Sequence, residues 1–224
     1  MARKALECWY SQRWPNKELV IADDREDKSF PKLTHDKEVV HYFDLVGRLT
    51  VGEKRNFCAA RAKGEFIVHF DSDDWSSPDR IEDQMARLLA SGKFVTGYHS
   101  MLFTDGSSWW RYEGQVYAGL PKGTNGVFGT SLLYRKDWWA GHPFVDGPQN
   151  HNNYEDQFFV KEALKGGQLF DAPAMDRMYA RVHPGNTSPK GTSNRERWKP
   201  VTDPHVIAPL LMGRDVPQSL FLGH

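Results

Sequence analysis

The chain has 224 residues, 39% hydrophobic and 26% charged, which provides for a sizeable core and excludes general disorder. Lysine plus arginine and aspartate plus glutamate both number 29, so the formal charge is zero and no global field steers nucleic acid or an anionic membrane. No apolar run approaches the roughly 20 residues of a bilayer-spanning helix, and no charged-then-apolar leader opens the chain, so membrane spanning and secretion are not expected.

Ala5, Leu6, Trp9 and Tyr10 form an apolar stripe at helical spacing, ended by Trp14-Pro15-Asn16. Leu19–Ala22 reads as a short buried strand stopping at Asp23-Asp24, Arg25–Lys37 as a loop, and Val39–Phe43 as a second strand. Gly52–Lys63 suits a helix with Gly64 as its stop. Cys8 and Cys58, the only cysteines, fall in these two helices without a C-x-x-C spacing, which excludes a disulfide scaffold and a zinc ribbon. They point to a reduced, cytoplasmic protein. Phe66–Phe70 reads as a strand running into Asp71-Ser72-Asp73-Asp74, followed by Ser77 as N-cap and Pro78 at the first helical position. Ile81, Met85, Leu88 and Leu89 share one face of that helix, and Gly92 closes it. Phe94-Val95-Thr96 begins another strand. This alternation predicts an α/β fold, a mostly parallel sheet flanked by helices. Residues 98–150 read as a small antiparallel addition, with strand-like pieces at Trp109–Tyr112 and Val127–Tyr134. A last helix spans about Tyr154–Lys165. Residues 1–190 are expected to form one domain and 191–224 a loosely packed tail.

Asp71, Asp73 and Asp74 are the strongest chemical signal. Carboxylates crowded at a strand end repel one another, a divalent cation relieves that repulsion, and oxygen donors favour Mg²⁺ or Mn²⁺. The carboxyl ends of strands are also where α/β sheets bind ligands. A solvated acidic turn before a helix is an equally good reading of this motif alone. An EF-hand is excluded, because Ser76 stands where glycine is needed and Pro78 at loop position eight. Asp23-Asp24 ends another strand and can accept hydrogen bonds from a nucleobase or ribose. Glu155-Asp156 opens the late helix, either complementing its dipole or supplying a general base. His183, beside Pro184-Gly185-Asn186, is a candidate metal ligand or proton carrier, and Arg55-Asn56 a candidate contact to phosphate or base edges. Taken singly, each has a plain structural explanation.

Taken in order, these pieces resemble a family 2 glycosyltransferase of the glycosyltransferase-A fold. The matching stretches are Gln12-x-x-Pro-Asn-x-Glu-Leu-Val-Ile-Ala-Asp-Asp24, Gly52-Glu-Lys-Arg-Asn56, and Gly64 through Asp74 with Pro78-Asp-Arg80. Gly129-Thr-Ser-Leu-Leu-Tyr-Arg135, Tyr154-Glu-Asp156 and His183-Pro-Gly-Asn-Thr-Ser188 complete the series. The resemblance implies metal-dependent, inverting transfer of a hexosyl-type sugar from a nucleoside diphosphate, with a UDP-sugar favoured, to a glycan, lipid or protein acceptor. It implies that Asp23, Asp24, Arg55, Asn56, Asp71 and Asp73 line the donor site. Asp73, Asp74 and His183 would surround Mn²⁺ or Mg²⁺, and Asp156, with Glu155 beside it, would act as base on the acceptor. A nucleotidyltransferase and a non-catalytic nucleotide- or sugar-binding remnant are the alternatives. The first should carry a Gly- and basic-rich phosphate loop, and none is present. Family members begin with a strand and a Pro-Thr-rich turn, whereas here Met1 falls almost at the first helix. The expectation is a fold lacking its first strand.

Overall fold

A computed structural model describes residues 2–25, 39–112, 125–146, 155–174, 177–186, 197–203 and 207. The expected loop beyond Arg25, Tyr154, Thr187-Ser188 and most of the expected tail lie outside these residues. The elements run α1 (Ala2–Ser11), β1 (Leu19–Asp23), β2 (Val40–Asp44), α2 (Val51–Arg61), β3 (Phe66–Val68), β4 (Trp75–Ser76), α3 (Arg80–Ser91) and β5 (Val95–Thr104). Then come β6 (Trp109–Tyr112), a 3-10 turn at Gly129–Ser131, β7 (Leu133–Arg135), α4 (Lys136–Gly141), α5 (Glu155–Lys165), β8 (Leu169–Pro173), β9 (Met178–Arg181) and β10 (Trp198–Pro200). Among the described residues no helix is long and apolar enough to cross a membrane.

The α/β expectation holds. β5 organises the larger sheet: its first half pairs antiparallel with β7 and parallel with β8, its second half antiparallel with β6 and parallel with β9. β7 carries β3 on its other side, also antiparallel. The antiparallel share therefore extends beyond the addition expected from residues 98–150. β1 and β2 form a separate parallel pair, with no strand pairing to the larger sheet among the described residues.

Successive residues on β7 show how the sheet is covered. Tyr134 joins Val95, Phe144 and the buried stripe Phe159, Val160 and Ala163 of α5. Its neighbour Leu133 joins Ile81, Met85 and Leu88 of α3. Adjacent strand residues point to opposite faces, so α3 and α5 cover opposite sides. Burial of one such aliphatic or aromatic side chain stabilises by about 1.5–3 kcal/mol.

Several local readings change. The α3 N-terminus is not capped by Ser77, whose hydroxyl donates to Asp79 instead. The Ile81 N–H is satisfied by Gln12 Oε1 at 3.1 Å, while Gln12 Nε2 donates to the Ser77 carbonyl. A buried glutamine just after α1 thus does the capping from outside the helix, which a local pattern does not reveal. The segment expected to begin the loose tail includes β10, which pairs with β6, and Trp198, which is buried against Tyr98, Met101 and Phe103. A large aromatic with an apolar pocket within reach overrides the polar, proline-rich composition around it.

α2 begins one residue earlier than expected, at Val51, with a Thr50–Glu53 capping box. Thr50 Oγ1 accepts from the Glu53 N–H and donates to Asp146 Oδ2 at 2.6 Å. Thr50→Ala removes both contacts and should cost about 0.5–2 kcal/mol. A thermal melt should show a fall of about 2–4 °C per kcal/mol lost.

Candidate active site

The site begins where strands end. Asp23 closes β1 in register with Asp44 of β2. Its carboxylate takes Arg25 Nε at 2.9 Å and the Tyr42 hydroxyl at 2.9 Å. These donors hold the acid at a pKa of about 2, and Tyr42 is pushed up to about 12, by burial first and then by Asp23. Asp24 accepts Lys54 Nζ at 3.1 Å and the Leu49 N–H at 3.0 Å. Tyr42 and Lys54, missed in the sequence, are the partners that orient the two carboxylates.

The next residue of α2, Arg55, points to the centre. Its Nη1 donates to Glu155 Oε1 at 2.7 Å, and its Nη2 lies 4.0 Å from Asp71. Glu155 is buried, and burial outweighs the pull of Arg55 to lift its pKa to about 7. The expected catalytic role for Glu155 therefore becomes one of position: it is engaged beneath the site. Asn56, expected on the donor, is turned away. Its Oδ1 accepts from the Trp139 indole and the Phe144 N–H, both at 2.9 Å, and its Nδ2 donates to the Phe144 carbonyl. All of its polar capacity but one N–H goes to anchoring the loop after α4.

The acidic run after β3 separates into different environments. Asp71 keeps 41% of its side chain exposed. Asp73 Oδ2 meets His183 Nε2 at 2.8 Å, although 110 positions separate them in the chain. Asp74 is turned inward, with Oδ2 accepting from Thr130 Oγ1 at 2.5 Å and Oδ1 from the Arg181 N–H at 3.1 Å. Burial, then the charges of Asp71 and Asp73, push its pKa up to about 8. A carboxylate whose two oxygens already serve the protein is a poor direct ligand, so Asp73 and His183 are the better-placed pair of the expected metal set.

Among the described residues no three His, Cys, Asp or Glu side chains form a ready-made metal site. Asp73 and His183 fit a partial one, with a carboxylate oxygen and an imidazole nitrogen converging. Gly185 N–H donates to His183 Nδ1 at 3.1 Å, which leaves the proton on Nε2 facing Asp73. Ligation through Nε2 requires that proton to move to Nδ1 and the Gly185 contact to open.

Asp156, one position after Glu155, makes no hydrogen bond or ion pair among the described residues. It packs against bare backbone: a Cβ added at Gly129 would lie 2.7 Å from the Asp156 Cβ and closer still to Oδ2. Thr130 and Gly129, adjacent in one turn, thus contact Asp74 and Asp156. Arg80, fully buried, donates to the Thr130 carbonyl at 3.2 Å. Pro78-Asp-Arg80 and Gly129-Thr-Ser are the stretches that could have marked these residues.

A family model described as "Glycosyl transferase family 2" matches residues 1–154. EpsH of Bacillus subtilis (strain 168), which carries the name of a glycosyltransferase, is 27% identical over 173 residues, covering 70% of this chain and 50% of EpsH. The crystal structure of S. aureus TarS 1-349 in complex with UDP superposes with a TM-score of 0.61 at 19% identity, over 82% of this chain and 57% of that one. The mannosyltransferase PcManGT from Pyrobaculum calidifontis, in complex with GDP-Man and Mn²⁺, gives 0.55 at 13% identity, over 95% of this chain and 64% of that one. The fold is that of the glycosyltransferase-A class. The chain spans half the length of EpsH and little more than half that of the TarS chain.

Two measurements probe this geometry. Asp23, with its pKa lowered from 3.8 to about 2, contributes stability above pH 4 that is lost as pH falls through 2. The melting-temperature advantage of the parent over Asp23→Asn should be full at pH 5 and shrink steadily below pH 4; a constant advantage would contradict the ionic assignment. Gly129→Ala should leave nucleotide affinity near parental and lower turnover by about 10²-fold, because displacing a reacting group by about 1 Å costs that much. Parental turnover would show that Asp156 is not held by this contact.

Proposed function

Because the chain belongs to glycosyl transferase family 2, we propose that it moves a sugar from a nucleoside diphosphate to an acceptor hydroxyl with inversion. The observation that carries this reading is the meeting of Asp73 and His183 at 2.8 Å, from distant parts of the chain, in the same fold in which Asp156 has no hydrogen bond or ion pair among the described residues. TarS in complex with UDP-GlcNAc and PcManGT with GDP-Man and Mn²⁺ support a nucleotide-sugar donor and a divalent cation. A UDP-sugar is the favoured donor, and a glycan, lipid or protein hydroxyl the acceptor.

Asp23 and Asp24 border the nucleoside: Lys54 sets the direction of Asp24, which keeps a free lone pair, while Arg25 and Tyr42 take up the lone pairs of Asp23. Asp73 and His183 would hold Mn²⁺ or Mg²⁺, which when bound would supply positive charge against the diphosphate leaving group. Asp156 takes the proton of the attacking hydroxyl at a carboxylate oxygen, while Glu155 keeps the start of α5 fixed through Arg55. Attack opposite the leaving diphosphate inverts the anomeric carbon, and no protein nucleophile is required.

Asp156→Asn should lower turnover by about 10²- to 10⁴-fold, the worth of a general base, with nucleotide affinity kept. Donor turnover followed by diphosphate release, and titration calorimetry with UDP in Mn²⁺ and in chelator, test the two parts. Parental turnover in Asp156→Asn removes the base; equal UDP affinity with and without metal removes the cation.

A further inference from the structure

β5 is buried along its length except at two central residues, His99 and Ser100. At that point its register against β8 slips: Tyr98 faces Ala172 and Ser100 faces Pro173, with His99 between them unmatched. A bulge of this kind re-aims a side chain. It falls where β5 leaves β7 and β8 for β6 and β9. His99 Nδ1 lies 2.8 Å from Asp171 Oδ2, and Asn125 Nδ2 donates to the same oxygen at 3.1 Å. Asp171 pairs with Gly97 of β5, where Val127 and Ser131 occupy the place a side chain would take. The His99 and Asp171 side chains are 23% and 36% exposed. Among the described residues, Asp171 Oδ1 and His99 Nε2 have no hydrogen-bond partner.

This trio has no part in the donor or metal chemistry derived above, yet it is close to the reacting centre in the fold. Asn125 precedes Gly129 on the same segment, and Gly129 is the backbone against which Asp156 packs. The Tyr98 N–H and carbonyl, next to His99, bond Ser131 Oγ and the Phe128 N–H on either side of that turn. His99 Nδ1 is close to Asp171 without a well-directed hydrogen bond to it, so the imidazole can offer Nε2 as donor or acceptor. A ring nitrogen and a carboxylate oxygen side by side, backed by a carboxamide, match two adjacent hydroxyls, because a hydroxyl both donates and accepts. An apolar pocket could not make that selection, because buried hydroxyls without partners are penalised.

We propose that His99, Asp171 and Asn125 form a subsite that holds the acceptor sugar by a pair of adjacent hydroxyls. The inference rests on the sugar-transfer reading. The test uses the full chain with ring-labelled histidine, titrated with the methyl glycosides of glucose, galactose, mannose and N-acetylglucosamine. The His99 ring signals should shift saturably with at least one glycoside. Asp171→Asn and His99→Gln should each weaken that affinity about tenfold, the equivalent of one hydrogen bond to a charged group. Ring signals unmoved by all four glycosides, or parental affinity in both variants, overturn the subsite. UDP titration in Mn²⁺ on the same parent sample separates the two ideas: failure there counts against the transferase reading, whereas the His99 response judges the subsite alone.

Discussion

The buried turn Gly129–Ser131 is the constraint on which the remaining geometry depends. His69, Arg80 and Gln84, from the strand end and helix that flank the acidic run, all bind its carbonyls: His69 Nδ1 to Gly129, Arg80 Nη2 to Thr130, Gln84 Nε2 to Ser131. Arg80 is completed by Ser76 Oγ and Gln84 Oε1, and lies 4.9 Å over the Phe70 ring. Each buried polar group left without its partner would cost about 1–3 kcal/mol, so the network holds together or fails together. His69 also stays neutral, since burial and the nearby Arg55 and Arg80 charges hold its pKa well below 6.5. Its Nδ1 proton goes to Gly129, and Nε2 is left to accept from Tyr134.

That turn places two carboxylates from distant parts of the chain in different surroundings. Thr130 faces the acidic run and fixes Asp74, while Gly129 faces α5 and leaves room for Asp156. Asp74 is bonded inward while Asp73 turns to His183. Glu155 and Asp156 also part ways: Arg55 engages the first, and the second has no hydrogen bond or ion pair among the described residues. In both places adjacent carboxylates meet different surroundings.

Much of this was legible in the sequence where local pattern and tertiary packing agree. The amphipathic stripe of α3 is of this kind, and so are the positions of Asp23 and Asp156 at element ends; the strand expected over Phe66–Phe70 is shorter and stops at Val68. What was not legible depends on partners distant in the chain. Asn56 looks like a ligand contact beside Arg55, yet Trp139 and Phe144 capture it. β4, β8 and β9 are short and have weak alternation; β8 and β9 exist because the long strand β5 offers them partners, and β4 because β9 then offers it an edge. Ser77 has the form of a cap, but a buried Gln12 is better placed.

The separate ladder of β1 and β2 has a dynamic consequence. Among the described residues this pair has no strand pairing to the larger sheet and is attached through α2. Phe57 packs edge-on to Phe43, Lys54 reaches Asp24, and Arg55 reaches Glu155. Side-chain attachment of this sort defines a unit that can open locally while the rest of the molecule remains intact. Its amide protons would exchange by their own route, independent of global unfolding. A ligand spanning Asp23 and Asp73 would bridge the two units and quench that opening, so that ordering one end of the ligand lowers the entropic cost of ordering the other.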